Sequence, residues 1–214
     1  MNVPAAGGTP GYSWDAVQTP ELEGRDRVEQ VLSRAARLFT EKGYGAASMR
    51  DLAAEVEIRP SSLYHHFPSK QHILYAICHN FQRDFNLEIV PELRGGQPPD
   101  AAIRAAIRKH ILFSNRRWPD VLVTMRERRS LPREQQATVN ALRRHYRDAL
   151  MAAIERGRDE GVFTVPDAKL ASMILLDMVN GAAHWFRPRD RRDLHRMADR
   201  YGDAAVALLR GWSE

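Results

Sequence analysis

Apolar positions along the first third of the chain recur at helical spacing. Over residues 25–42 they lie three or four positions apart, on one face of a helix whose other face carries Arg and Glu. Gly43 follows, where a helix C-terminus favours a residue that adopts left-handed backbone angles easily. After a short break, Ser48 can cap a second helix, MRDLAAEV, with the same apolar spacing. The pattern predicts two helices joined by a tight connection.

Two prolines bracket a third, shorter helix. Pro60 suits a first helical turn because its missing N–H would have no partner there, and Pro68 ends the segment about two turns later. A fourth helix is predicted to begin at Lys70, with Ser69 as its cap, and its apolar spacing continues to Phe85.

The remainder of the chain also has helical periodicity. Residues 91–100, PELRGGQPPD, combine Pro and Gly and are predicted to form a linker, with the domain junction at or just before it. Since no segment alternates with the period of two that a strand requires, we predict an all-α protein with about nine helices. The later helices are expected over about residues 100–117, 119–129, 132–160, 167–186 and 191–212.

Composition limits the classes of protein and of partner. With 214 residues, 43% of them hydrophobic and 28% charged, the chain is expected to be soluble and globular, and its apolar runs are shorter than the roughly 18–20 residues of a membrane span. Cys78 is the only cysteine, so an internal disulfide and a thiolate zinc cage are excluded, and a reducing cytoplasm is the expected location. The net charge of +5 favours an anionic partner.

Residues 48–70 have the dimensions of a helix-turn-helix. The tight break EVEIRP joins two short helices, and in this motif the second helix enters the major groove of DNA. That helix presents hydrogen-bond donors without any carboxylate, and Ser69 and Lys70 add a helix start, where unpaired N–H groups attract phosphate. The side chains predicted to face the groove are those of Arg59, Ser61, Ser62, Tyr64 and His65.

The stretch GYGAASMRDLAAEVEIRPSSLYHHFPSKQHIL, residues 43–74, resembles the DNA-binding domain of the tetracycline-repressor (TetR) family of transcriptional regulators. The resemblance implies a homodimer with an N-terminal three-helix DNA-binding domain, a C-terminal helical bundle for a small-molecule effector, and neither enzymatic activity nor a cofactor. It also implies that Ser48 and Lys70 hold phosphates at the edges of double-stranded operator DNA, while Phe67 fixes the short helix in the core. The expected domains are a flexible tail over residues 1–22, a helix-turn-helix domain over residues 23–70, and an effector-binding and dimerisation domain over residues 71–214.

Two residues depart from the family pattern. Glu57 stands in the turn where family members usually have Gly, and a non-glycine residue with left-handed angles costs roughly 1 kcal/mol, so the turn is a candidate for a different construction. Arg59 replaces the small capping residue that is more usual. It is therefore the candidate for operator preference, through a phosphate or through a bidentate pair with guanine.

The last two predicted helices carry wide apolar faces. Faces of this width exceed what one small core requires and indicate a helical dimer interface, and the resemblance implies the same. A dimer would place two recognition helices in successive major grooves, about 34–36 Å apart on a pseudopalindromic operator. The predicted interface residues are Met173, Met178, Trp185, Met197, Tyr201 and Leu208.

The middle helices are expected to enclose the effector. The stretches RERRSLPREQ, IERGRDEGVF and VNGAAHWFRP resemble the C-terminal domains of family members that sense fatty-acyl or other acyl-CoA esters, ligands that need an apolar tunnel and arginines for phosphates. Apolar residues at helical spacing also form plain core, so both interpretations stay open for each position. The candidates are Ile111, Phe113, Trp118, Leu122, Met125, Tyr146 and Leu150.

Two other functions compete with a repressor released by such an effector. A sensor of cationic or aromatic drugs that controls efflux would have the same fold but acidic residues in its pocket, whereas the middle helices are richer in Arg. A helical metal-dependent hydrolase would use His65, His66, His72 and His79. The sequence has no HExxH motif, paired cysteines, nucleophile elbow or Gly-rich phosphate loop to support it, and no metal site is predicted.

Overall fold

The computed structural model describes residues 27–212, and this part of the chain is all-α, as predicted. Residues 27–212 form nine α-helices and no strand, with one turn of 3-10 helix at Arg128–Ser130. The tail predicted over residues 1–22 lies outside them. The helices are α1 (Arg27–Lys42), α2 (Met49–Glu55), α3 (Pro60–His66), α4 (Lys70–Arg94), α5 (Pro99–Arg116), α6 (Trp118–Glu127), α7 (Arg133–Asp159), α8 (Ala168–Trp185) and α9 (Arg191–Arg210). Between residues 27 and 212 no helix has the length and apolarity to cross a membrane.

The linker predicted at residues 91–100 is wrong in its first part. The remaining helix bounds agree with those predicted from the apolar spacing to within about two residues. Helix α4 continues through Pro91 to Arg94. Val90 and Leu93 are buried, whereas Pro91 is exposed close to the helix end. The packing of this last turn outweighs the single hydrogen bond that the missing N–H of proline removes.

Buried side chains form two hydrophobic clusters, and α4 belongs to both. The first turns of α4 place Ile73 and Leu74 in one cluster with the buried faces of α1, α2 and α3, which we call the N-terminal core. Its later turns place Phe81 and Phe85 in a second cluster with α5, α7, α8 and α9, the C-terminal core. One continuous helix therefore runs from one core into the other.

Helix α6 makes a second connection between the two cores. Val123 packs in the N-terminal core, whereas Val121 packs in the C-terminal core. At the start of α6, the carbonyl of Pro119 accepts a hydrogen bond from the hydroxyl of Thr40 on α1. A shift of α6 would consequently be felt by α1.

Helix α9 packs along α5 at close range. A Cβ atom added to Gly202 would lie 2.9 Å from the carbonyl oxygen of Arg104 on α5, so only glycine permits this approach. Arg104 and Arg108 reach Asp203 and Asp199 of α9, with N–O distances of 2.8 and 2.6 Å. These contacts fix α9 on the C-terminal core.

The connection between α2 and α3 has the hydrogen bonds of a Schellman motif. The N–H of Glu57 donates to the carbonyl of Ala54 at 3.1 Å, and the N–H of Ile58 donates to that of Ala53 at 3.0 Å. This motif requires left-handed angles at its central residue, and Glu57 has a φ of 57°. The turn is therefore the kind that a glycine would form, and the idea of a different construction is wrong.

Replacing Glu57 by Gly is expected to stabilise the protein by about 0.5–1 kcal/mol, because relief of the left-handed strain exceeds the extra backbone entropy of glycine in the unfolded chain. The midpoint of urea unfolding, followed by circular dichroism at constant protein concentration, measures the effect. Glu57→Ala is the matched control, since it removes the carboxylate but keeps the strain, and its midpoint should stay close to wild type. A Glu57→Gly midpoint at or below wild type would contradict the assignment of strain to this residue.

Candidate nucleic-acid interface and effector cavity

The short helix α3 presents polar side chains to solvent and is held from behind by two apolar ones. Leu63 is fully buried, and Phe67, the residue at which the helix ends, is buried as well. Tyr64 is 51% exposed, which places it on the surface and not in the core. The other predicted groove-facing residues are also exposed: Arg59, Ser61, Ser62 and His65. Their contacts with DNA stay predictions.

Ser48 begins α2 with a reciprocal capping box. Its hydroxyl accepts from the N–H of Asp51 at 3.1 Å, while the Asp51 carboxylate accepts from the N–H of Ser48 at 2.7 Å. The same carboxylate pairs with Lys42 at 2.8 Å, and the hydrogen bonds from Lys42 and Ser48 hold the pKa of Asp51 well below its usual range. The predicted cap is confirmed, whereas a phosphate contact at Ser48 stays a prediction.

The ammonium group of Lys70 ties the α1–α2 loop to the start of α4. Its Nζ donates to the carbonyls of Tyr44, Ala47 and Gly45, at 2.6, 2.7 and 3.2 Å. It also lies 4.5 Å from the centre of the Tyr44 ring, within range of a cation–π interaction. Because these carbonyls match all three donors of the ammonium group, a phosphate contact at this position would have to use the backbone N–H groups of the α4 start.

Ser69 stands at the N-cap position of α4, which begins at Lys70 as predicted. Its hydroxyl lies 2.8 Å from Nδ1 of His72 and makes no capping bond with the backbone, so that part of the prediction is wrong. The rings of His65 and His66 stand 5.6 Å apart. Across residues 27–212, no three His, Cys, Asp or Glu side chains are grouped closely enough to hold a metal ion.

The C-terminal core contains a cavity of about 60 Å³ between α4, α5, α6, α7 and α8. Part of its wall is aromatic, with the ring of Phe85 4.9 Å from that of Tyr146. None of the lining residues in the described part of the chain is a carboxylate. The wall consists of Phe81, Gln82, Phe85, His110, Ser114, Val121, Thr124, Met125, Arg143, Tyr146, Leu176 and Asn180.

Two of the predicted pocket residues, Met125 and Tyr146, line this cavity. Ile111 and Trp118 instead line a second hollow of about 20 Å³ between α5, α6 and α8. The remaining candidates are buried and lie on neither wall: Phe113, Leu122 and Leu150.

Sequence reasoning misses most of the wall, including Phe81 and Phe85 of α4 and His110 of α5. A signal for His110 exists, because this polar residue lies on the same face of α5 as the buried Ile103 and Ile107. A polar side chain within an apolar stripe requires a partner in the core or a role in a cavity.

His110 and Tyr146 form a neutral pair in the cavity wall. Nδ1 of His110 lies 3.2 Å from the Tyr146 hydroxyl, and both side chains are buried. Burial lowers the pKa of His110 to about 3, with a further contribution from the charge of Arg143, and burial raises the pKa of Tyr146. Among the described lining residues, Arg143 therefore carries the only charge at pH 7.

The predicted dimer face is divided between exposed and half-buried positions. Met173 and Trp185 on α8 are exposed, by 48% and 60%. Between them, a Cβ atom added to Gly181 would meet open space. The other predicted interface residues are half-buried: Met178, Met197, Tyr201 and Leu208.

Part of the apolar face of α9 serves the core of its own chain. Leu194, Ala198 and Ala205 are buried in the C-terminal core, where α9 packs on α5. The face of α9 left for a partner is consequently narrower than the apolar spacing alone predicts.

Comparison with known proteins assigns the chain to a family. Residues 31–77 match the family model of bacterial regulatory proteins of the tetR family, and residues 96–209 match that of the tetracyclin repressor-like C-terminal domain. The chain belongs to the TetR family. Proteins of the TetR family are transcriptional regulators that bind operator DNA, dimerise and bind small-molecule effectors.

Individual members of the TetR family are similar over most of the chain. PfmR, a regulator from Thermus thermophilus, is 33% identical, with a TM-score of 0.77 over 86% of this chain and 99% of PfmR. AibR, solved in complex with isovaleryl coenzyme A and operator DNA, is 28% identical, with a TM-score of 0.75 over 86% of this chain and 98% of AibR. The transcriptional repressor KstR2 of Rhodococcus jostii (strain RHA1) is 28% identical over 177 residues, 82% of this chain and 87% of KstR2.

Lys70→Met is expected to destabilise this TetR-family protein by about 1–3 kcal/mol, because it leaves three carbonyls without their donor. Tyr64→Phe is the comparison variant, and its free energy of unfolding should stay within about 0.5 kcal/mol of wild type. Its affinities for operator and for random DNA should fall to a similar degree, and these affinities should depend less steeply on salt concentration. Urea unfolding and fluorescence anisotropy with labelled DNA at several salt concentrations separate the two effects. A Lys70→Met variant as stable as wild type would contradict the structural role of Lys70.

Proposed function

We propose that this TetR-family chain is a dimeric repressor that binds a pseudopalindromic operator in the cytoplasm and leaves it when a small-molecule effector enters the cavity. The observation that carries the proposal is the double use of α4. Phe81 and Phe85 line the cavity, while Ile73 and Leu74 of the same helix share the N-terminal core with α1, α2 and α3. An effector that displaces the cavity wall would therefore also displace the helices that carry the DNA-contacting face.

The cavity must enlarge to hold an effector. Its volume of about 60 Å³ is less than half of the roughly 150 Å³ of a cavity that holds a benzene molecule. A larger ligand binds only to a conformation in which elements such as α4 and α6 have moved apart, so its binding favours that conformation. We infer that this conformation holds the two α3 helices at a spacing that no longer fits grooves about 34–36 Å apart.

Acyl-CoA esters are the effector class that we propose. The support comes from the resemblance of three C-terminal stretches to acyl-CoA sensors and from the similarity to AibR, which was solved with isovaleryl coenzyme A. The apolar and aromatic residues of the wall suit a short acyl chain. A sensor of cationic drugs is disfavoured, because the described lining residues include Arg143 and no carboxylate.

The proposed dimer interface is tested by Met173→Asp, which places a charge in the exposed α8 face that a partner would cover. The mass in solution, measured by light scattering, should fall to that of one chain, and operator affinity should fall by at least about tenfold because each half-site is then bound separately. Leu87→Asp is the matched control, since Leu87 is an apolar residue of α4 that is 70% exposed, and it should change neither quantity. A Met173→Asp protein that stays dimeric would contradict the interface.

Effector release is tested with an operator selected from random DNA duplexes. Acyl-CoA esters of short and medium chain length are expected to weaken operator binding by at least about tenfold, whereas free coenzyme A should not, because the acyl chain is the part that must enter the cavity. Ser114→Phe, which fills the cavity, should keep operator binding and lose the response. If no acyl-CoA changes the mobility shift of the wild-type complex, the proposed effector class is wrong.

A further inference from the structure

Arg143 of α7 lines the cavity without a counter-ion. Within residues 27–212 its guanidinium makes no hydrogen bond and no ion pair. Arg117, another half-buried arginine of the C-terminal domain, is paired, since it lies 3.3 Å from Asp84 and 3.1 Å from Asp120. The charge of Arg143, a half-buried residue, is therefore uncompensated at the cavity wall.

The surroundings of Arg143 oppose its charge. Burial, and then the like charge of Arg128, lower the pKa of Arg143. Arg128 itself donates from Nη1 to Oδ1 of Asn140 at 2.7 Å, while its buried Nε has no hydrogen-bond partner among the described residues. An anion beside Arg143 would offset the free energy that is lost by burying an unpaired cation.

A second unsatisfied group lines the same cavity. Thr124 of α6 is 1% exposed, and in the part of the chain that the structure describes its hydroxyl has no nitrogen or oxygen partner and only the weakly hydrogen-bonding thiol of Cys78 close by. A hydroxyl can donate to a carboxylate oxygen, and a guanidinium can donate to both oxygens at once. The same wall supplies apolar area through the rings of Phe81, Phe85 and Tyr146.

We propose that the effector carries a carboxylate on a compact apolar body, with the carboxylate bound by Arg143 and Thr124 and the apolar body packed against Phe81, Phe85 and Tyr146. The inference rests on the proposed function, a repressor released by an effector in the cavity, and specifies the chemistry of that effector. Two kinds of compound carry this chemistry: a free carboxylic acid, and an acyl-CoA whose acyl chain ends in a second carboxylate. A plain hydrocarbon chain would leave Arg143 unpaired.

Two matched pairs of probes test the proposal by isothermal titration calorimetry on the full-length protein. Glutaryl-CoA and pentanoyl-CoA differ in a terminal carboxylate, and 3-phenylpropanoate and 3-phenylpropanamide differ in charge at nearly constant shape. The carboxylate of at least one pair should bind at least about tenfold more tightly than its partner, because hydrogen bonds between charged groups contribute that much. A preference in the first pair identifies the CoA thioester as the source, and a preference in the second identifies the free acid. No preference in either pair, including no binding at millimolar concentration, overturns the proposal.

Variants of Arg143 test whether this residue causes the preference for the carboxylate ligand. Arg143→Gln should bring the two members of a pair to within about twofold, whereas Arg144→Gln, at the exposed neighbouring position, should keep the wild-type preference. If circular dichroism shows that Arg143→Gln does not fold, Arg143→Lys takes its place, since it keeps the charge but loses the two-pronged donor, and the preference should then fall at least about threefold. An unchanged preference in either Arg143 variant overturns the proposal.

Operator binding separates failure of this inference from failure of the proposed function. A wild-type protein that is released from its operator equally well by the two members of each probe pair would overturn the carboxylate preference and leave the repressor function standing. A protein that prefers the carboxylate in calorimetry but is never released from DNA would support the binding site and contradict the release mechanism.

Discussion

Helix α4 is packed twice, and both halves of the protein depend on it. Ile73 and Leu74 are fully buried in the N-terminal core, while Phe81 and Phe85 form part of the C-terminal core and of the cavity wall. Close-packed interiors do not deform continuously. A displacement of the cavity half of α4 therefore either moves the DNA-binding half as well or is prevented by the packing of that half. This constraint turns a ligand cavity in one core into a means of positioning the helices of the other.

Local contacts hold the helices of the DNA-binding domain together and leave the outer face of α3 exposed for DNA. Leu63 and Phe67 anchor α3 from inside, the Schellman turn at Glu57 sets its direction, and the three carbonyl contacts of Lys70 join the α1–α2 loop to α4. The left-handed angles at Glu57 store strain in the turn between the two helices that touch DNA in this motif.

The helices could be predicted from the sequence because their apolar spacing, caps and prolines are local signals. The same signals failed at Pro91, where burial of Val90 and Leu93 extends α4 past the proline. The DNA-binding surface and the cavity were harder to predict from the sequence than the helices. The carbonyls bound by Lys70 lie more than twenty residues away in the chain, and the cavity forms where five helices converge. Met125 and Tyr146 could be placed in the pocket from their spacing, but the pairing of His110 with Tyr146 and the isolation of Arg143 depend on tertiary packing.

Coupling of the cavity to the two recognition helices through α4 would change the distance between the two α3 helices of the dimer. Pulsed electron paramagnetic resonance with a spin label on Ser62→Cys measures this distance. Ser62 is exposed and the native Cys78 is fully buried, so the label marks α3 selectively. With this coupling, the distance distribution shifts by several ångströms when a ligand that releases the operator is added. An unchanged distribution under those conditions would contradict the coupling.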